Sequence, residues 1–139
     1  MRIGTKSVIV KDGKVLLIRR SNYDTHMAGK WDLPGGRLEP GERIFDGHKR
    51  EVMEETKLII EILEPVRCWS AERLGEKHAG VTLLSKHMEG SVILSNEHTE
   101  FKWVSPEEMQ KTDAAEWIKD EVKLAQEINP ELFHSRQKL

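Results

Sequence analysis

Cysteine is almost missing from this chain: Cys68 is the single one in 139 residues. One thiol excludes an intrachain disulfide and a cysteine cluster for zinc, which leaves Cys68 the role of a small buried hydrophobe. Long apolar runs are missing too. No stretch approaches the roughly 20 residues of a membrane-crossing helix, and the opening MRIGTKSVIV has no signal-peptide core. A cytoplasmic address with no membrane partner is the expectation. Neither sign of charge dominates, with 22 Lys and Arg against 24 Asp and Glu and a formal net charge of −2. That balance offers no footprint for duplex nucleic acid, so an anionic ligand would need local cations. Repeats and low-complexity linkers are also lacking. The length fits one domain, 1–139, with one continuous core and a loose tail over about residues 130–139.

What is present is a crowd of acids. In REVMEE, residues 50–55, Glu51, Glu54 and Glu55 stand at i, i+3 and i+4 and share one face of a helix. Like charges at i,i+4 cost about 0.2–0.5 kcal/mol, a penalty that a bound cation removes. The helix is expected from Ile44 to Thr56, with Phe45, Val52 and Ile59 recurring every seven residues beside the acidic stripe. Before it, Val8 to Val10 and Val15 to Ile18 flank a Lys11-Asp12-Gly13-Lys14 turn and read as a hairpin closed by Arg19-Arg20. In WDLPGGRLEPGE, Pro34, Gly35, Gly36, Pro40 and Gly41 forbid regular structure. After the helix, LIIEIL, VRCWS and GVTLLSKHM read as strands broken by Pro65, the loop 74–78 and Glu89-Gly90, and FKWV adds another. Ser105-Pro106-Glu107-Glu108 has the form of a capped helix start. Asp113 is a candidate cap for a last helix with Trp117, Ile118, Val122, Leu124, Ala125 and Ile128 as its apolar positions. Strands, helix, strands and helix make an α+β chain whose mixed sheet carries helices on its faces.

From Gly36 the chain reads GRLEPGERIFDGHKREVMEETKL: a glycine, five residues, Glu42, seven residues, then Arg50-Glu51-Val52-Met53-Glu54-Glu55. This resembles the Nudix box of the Nudix hydrolases. HMAGKWDLPGGRLEPGE, residues 26–42, looks like the approach to the box in the MutT branch, and Glu97 to Val104 is similar to a later family element. The resemblance implies a Nudix-type α/β/α sandwich. It also implies hydrolysis of a nucleoside diphosphate-linked substrate with Mg²⁺, or Mn²⁺ in its place. A nucleoside triphosphate giving monophosphate and pyrophosphate leads. ADP-ribose or a nucleotide sugar is the alternative substrate, and a sensor that binds nucleotide without turnover, or a protein interface, the alternative role. Hydrolysis of a phosphoric anhydride requires charge neutralisation and an activated water, which carboxylates holding Mg²⁺ supply and bare carboxylates do not.

By the same resemblance, the metal ligands are the Gly35 carbonyl, Glu51, Glu54, Glu55 and Glu97. Arg50 orients carboxylates together with Glu42. Glu51, Glu54 and Glu97 all remain candidates for the general base, because spacing does not rank them. Arg19 and Arg20 either clamp phosphates or simply end a strand. Trp31 stacks on a base or packs in the core, Asp113 reads the base or caps a helix, and His98 is a candidate substrate contact. The partner is a small nucleotide, and the protein a monomer or homodimer. Three positions depart from the pattern. Lys57 replaces the glycine after the helix, which would cost about 1–2 kcal/mol if left-handed. Gly47 costs about 1 kcal/mol relative to alanine inside a helix, and Arg43 is a poor N-cap.

Overall fold

The apolar runs at Val8 to Val10 and Val15 to Ile18 do not alternate because the sheet they enter is covered on both faces. In the computed structural model, which describes residues 1–21 and 28–134, β1 (Arg2–Lys11) and β2 (Lys14–Arg20) form the expected hairpin. Its turn places Asp12 at φ 50° and Gly13 at φ 77°, the left-handed pair that suits strand twist. Val8, Val10, Val15 and Leu17 pack on one face with Ile118, Val122 and Ala125 of α3 (Glu116–Ile128). Ile9, Leu16 and Ile18 pack on the other with Val52 of α1 (Ile44–Thr56). None of these side chains is more than 2% exposed, and each buried Val, Leu or Ile contributes about 1.5–3 kcal/mol.

Four further strands complete a six-stranded sheet: β3 (Trp31–Asp32), β4 (Ile59–Arg73), β5 (Glu76–Glu89) and β6 (His98–Val104). The order is β3-β2-β1-β5-β4, with β6 also paired to β2. β1 and β5 run parallel and the other pairs antiparallel, so the sheet is mixed and the α+β expectation holds. A short α2 (Pro106–Gln110) begins with the full capping box at Ser105 and Glu108. Among the described residues, no helix is long and apolar enough to cross a membrane.

One irregularity positions everything that follows. β1 and β2 pair only through Val10–Val15 and Lys11–Lys14 before they diverge. The gap is filled by the segment from Trp31 to Leu38. On one side β3 pairs with β2. On the other, the N–H groups of Ser7 and Thr5 donate to the carbonyls of Pro34 and Gly36 at 2.9 and 2.8 Å, and Leu38 N–H donates to the Ile3 carbonyl at 2.9 Å. The diglycine turn is wedged into the sheet.

Several expectations change. Pro65 does not break a strand: β4 runs through it on the sheet edge, where a missing N–H is tolerated, with register shifts on either side. Cys68 is exposed rather than buried, because Val66 is the last buried residue of β4 and the hairpin beyond it leaves the covered body. The seven-residue repeat fails in two of its three members. Phe45 is 45% and Ile59 46% exposed, since of the three only Val52 turns from α1 towards the sheet and Ile59 already belongs to β4. Trp117 and Ile128 are on the exposed side of α3, at 38% and 36%. Asp113 caps nothing, as α3 starts after Ala115 without a side-chain cap. Pro130–Phe133, expected to be loose, forms a 3-10 turn whose Phe133 joins the core. Residues 22–27 and 135–139, including His26 and the end of the expected loose tail, lie outside the described residues.

Candidate active site

The site is built on the wedged turn. Gly35 sits at φ 146°, and a Cβ there would fall 2.0 Å from the Thr5 carbonyl oxygen, so only glycine lets the turn lie against β1. Its N–H donates to Glu55 Oε1 at 2.9 Å. A Cβ on Gly36 would stand 2.4 Å from Glu51 Oε2, so the bare Gly36 is the space that the Glu51 carboxylate occupies. Asp32 anchors the start of the turn. It is 2% exposed and its Oδ2 takes Lys6 Nζ at 2.7 Å and Arg20 Nε at 3.2 Å, while Oδ1 accepts the Leu33 N–H at 2.8 Å.

The three acids of the stripe therefore have three environments. Glu55 is buried against Gly35, and burial pushes its carboxyl up to about 8, against the Gly35 hydrogen bond and the Lys6 charge. Glu51 is half-buried, and its carboxyl is also raised, by burial first and then by the charges of Glu54 and Glu97, with Arg50 opposing. Glu54 is exposed and held by Arg50 Nη1 at 2.8 Å. Arg50 also forks onto Glu42 at 2.6 and 2.9 Å, reaches Glu51 at 3.2 Å and donates to the Arg37 carbonyl at 3.1 Å. Its guanidinium pulls the Glu42 carboxyl down to about 2. The spacing of Glu42 and Arg50 is thus a bidentate ion pair bracing the loop onto α1. The carboxylates do not converge on one point: among the described residues, no three His, Cys, Asp or Glu side chains stand close enough to share an ion in this arrangement.

A cavity of about 880 Å³ opens over the turn, and Glu51, Glu55, Glu97 and Arg20 line it with Gly35 and Gly36. Of the other expected site residues, Glu54 and Arg50 stand beside it. Arg19, Trp31 and Asp113 do not line it. Arg19 points to the opposite side of β2, where it pairs with Glu100 and donates to the Gly29 carbonyl at 3.0 Å. Trp31 is 7% exposed in the core, with Arg19 and Lys102 over its ring at 5.0 and 4.4 Å. Strand alternation turns Arg19 and Arg20 to opposite sides of the sheet, so Trp31 lies with Arg19 and away from the cavity. His98 is buried at 5%.

Lys6, Asp32, Arg67, Trp69, Trp117 and Glu121 also line the cavity, and sequence reasoning assigned none of them to it. Glu121 alone left a usable signal, an acid three residues after Ile118 on the buried face of α3.

The sequence matches the family model of the NUDIX domain over residues 2–125. It is 31% identical over 117 residues to the nucleoside triphosphatase NudI of Escherichia fergusonii, covering 76% of this chain and 83% of that one. The crystal structure of a MutT protein from Methanosarcina mazei superposes with a TM-score of 0.82 at 31% identity, over 92% of this chain and 94% of the other. The solution structure of the Escherichia coli ORF135 protein does so with a TM-score of 0.78 at 26% identity, over 92% and 90%.

Proposed function

The chain belongs to the NUDIX domain family, a hydrolase family acting on nucleoside diphosphate-linked substrates, and from that premise we propose that it converts a nucleoside triphosphate to the monophosphate and pyrophosphate. One observation carries the reading: the Glu51 carboxylate lies against the bare Gly36 in a cavity shared with Glu55, Glu97 and Arg20. The kinship with a nucleoside triphosphatase supports the substrate class.

Family members use a divalent cation, and the residues suit one by donor chemistry, although the acids would have to draw together around it. The donor set is all oxygen, from Glu51, Glu54, Glu55, Glu97 and the Gly35 carbonyl, which selects a hard ion such as Mg²⁺ or Mn²⁺ over zinc or copper. Glu51 and Glu55 are acids buried at a cost that a cation would offset. Glu54, 55% exposed at its side chain, stands beside the cavity with its carboxylate held by Arg50 Nη1 at 2.8 Å. The bound ion would neutralise phosphate oxygens and make a water acidic enough to attack. Arg50 keeps Glu51 and Glu54 oriented through its fork on Glu42. Arg20, held by Asp32, presents positive charge to the polyphosphate. Of the three candidate bases, Glu51 and Glu97 line the cavity and Glu54 does not, so the water's proton goes to one of the first two.

A panel of nucleoside triphosphates, ADP-ribose and nucleotide sugars with Mg²⁺, with products identified, tests this. The expected result is pyrophosphate and monophosphate from at least one triphosphate. Turnover of ADP-ribose alone would replace the substrate class, and binding without turnover across the panel would make the protein a sensor.

A further inference from the structure

The far wall of the cavity holds an acid that the reaction above leaves unused. Glu121 is 3% exposed and lines the same cavity as Glu51 and Glu55. Its Oε1 receives only a long hydrogen bond from Thr82 Oγ1 at 3.4 Å. Its Oε2 accepts none, although Arg67 Nε stands 3.4 Å away, close enough for an ion pair and misaligned for a hydrogen bond. A buried acceptor without a donor is destabilising, the more so when charged, and a ligand N–H would relieve it. Burial raises the Glu121 carboxyl, with the Arg67 charge opposing. The Arg67 side chain, 45% exposed, lines the same cavity.

The surroundings suit a flat heterocycle. Trp69 and Trp117 line the same cavity, and the half-buried Trp69 ring lies across β1 and β5 where both carry glycine. A Cβ on Gly80 would meet Trp69 Cζ2 at 2.3 Å, and one on Gly4 would meet Cη2 at 3.4 Å. Gly4, Gly80 and Trp69 are consecutive partners across the three strands. The two glycines thus form a floor on which an indole lies flat, and aromatic faces hold nucleobases by stacking.

We propose that Glu121 determines base specificity in this enzyme by accepting a hydrogen bond from the 4-amino group of cytosine or the 6-amino group of adenine, with Trp69 stacked on the ring and Arg67 donating to the adjacent ring nitrogen. The inference rests on the nucleotide-hydrolase reading. A carboxylate oxygen accepts and does not donate. An amino group satisfies it, whereas an oxo group at the same place would set two acceptors against each other in a buried site. Cytosine and adenine carry the amino group beside a ring acceptor; uracil and hypoxanthine carry oxo and N–H instead.

The test compares CTP with UTP and ATP with ITP. The unmodified protein should favour the amino member of at least one pair by roughly tenfold or more in kcat/KM. Glu121→Gln, whose amide donates as well as accepts, should erase that preference. Arg67→Met, on an exposed side chain that does not threaten folding, should raise KM for the preferred nucleotide with the loss absent from kcat. A positioning role at the reacting phosphate would lower kcat instead. Tryptophan fluorescence titrations of CMP against UMP and of AMP against IMP, without metal, provide a readout independent of turnover. Equal kcat/KM within both pairs, a preference surviving Glu121→Gln, or an unchanged KM in Arg67→Met would overturn the proposal. No turnover of any nucleotide, with an amino monophosphate still preferred in binding, would overturn the hydrolase reading and leave this one standing. Loss of both signals would remove both.

Discussion

Gly36 and Glu51 act as one unit, because the glycine's missing side chain is the seat of the carboxylate. Gly36→Ala therefore forces either the turn or the acid to move. Overpacking of this kind costs about 1–3 kcal/mol, and the larger effect should be on chemistry, with kcat/KM at least tenfold lower while circular dichroism stays native. Full activity in that variant would show that the close approach is dispensable. His48 allows a different residue-scale prediction. It is fully buried, with Nδ1 2.6 Å from Thr5 Oγ1 and no partner for Nε2. Burial first, and the Lys6 charge second, lower its pKa from 6.5 to about 4. The unfolded chain thus binds a proton between those values that the folded chain refuses. The stability involved is full above the unfolded pKa of 6.5 and lost as pH falls towards about 4, up to about 3 kcal/mol. Urea midpoints measured from pH 7 to pH 4.5 should fall less steeply in His48→Gln than in the parent. Parallel slopes would mean that His48 is already charged in the fold.

At the scale of elements, α1 was legible, from near Ile44 to about Thr56, because the Pro40-Gly41 turn forbids helix before it and its acids recur at helical spacing within it. Its departures from the family pattern prove to have different meanings. Gly47 is required by space: a Cβ there would meet Leu38 Cδ2 at 2.4 Å and Glu42 Oε1 at 2.7 Å, so the loop that delivers Glu42 to Arg50 packs on the glycine. Lys57 has no such reason. It caps the helix at φ 63°, ψ 17°, with its N–H donating to the Met53 carbonyl, in the left-handed region that glycine adopts without strain. Lys57→Gly should raise unfolding free energy by about 1 kcal/mol with activity intact, as read from chemical denaturation. A loss of stability would mean that the Lys57 Nζ bond to the Glu54 carbonyl outweighs the strain. What was illegible at this scale depended on neighbours. Pro65 signals a break only if β4 has partners on both edges, and the seven-residue spacing of Phe45, Val52 and Ile59 signals a buried stripe only if one helix carries all three.

For the whole molecule, legibility followed sequence distance. Arg50, Glu51, Glu54 and Glu55 share a turn and a half of helix, so their proximity was readable. Lys6, Asp32, Trp69 and Glu121 come from β1, β3, β4 and α3, and meet only because β1 and β5 pair in parallel and the turn enters the β1/β2 gap. No spacing rule carries that information. On the proposed function, the same architecture would make the folded state a better cation ligand than the unfolded chain, since Glu55 and Glu51 are held near the turn by burial and by Gly35. A ligand that binds only the native state stabilises by about 2.7 kcal/mol at a hundred times its Kd, which for a domain of this size is roughly 8–10 °C in Tm. Millimolar Mg²⁺ or Mn²⁺ should therefore raise Tm by several degrees in differential scanning calorimetry, and Glu51→Gln should lose most of that rise while keeping the metal-free Tm within a few degrees of the parent. A Tm indifferent to metal, with and without nucleotide, would assign the acidic face of α1 to a protein interface instead.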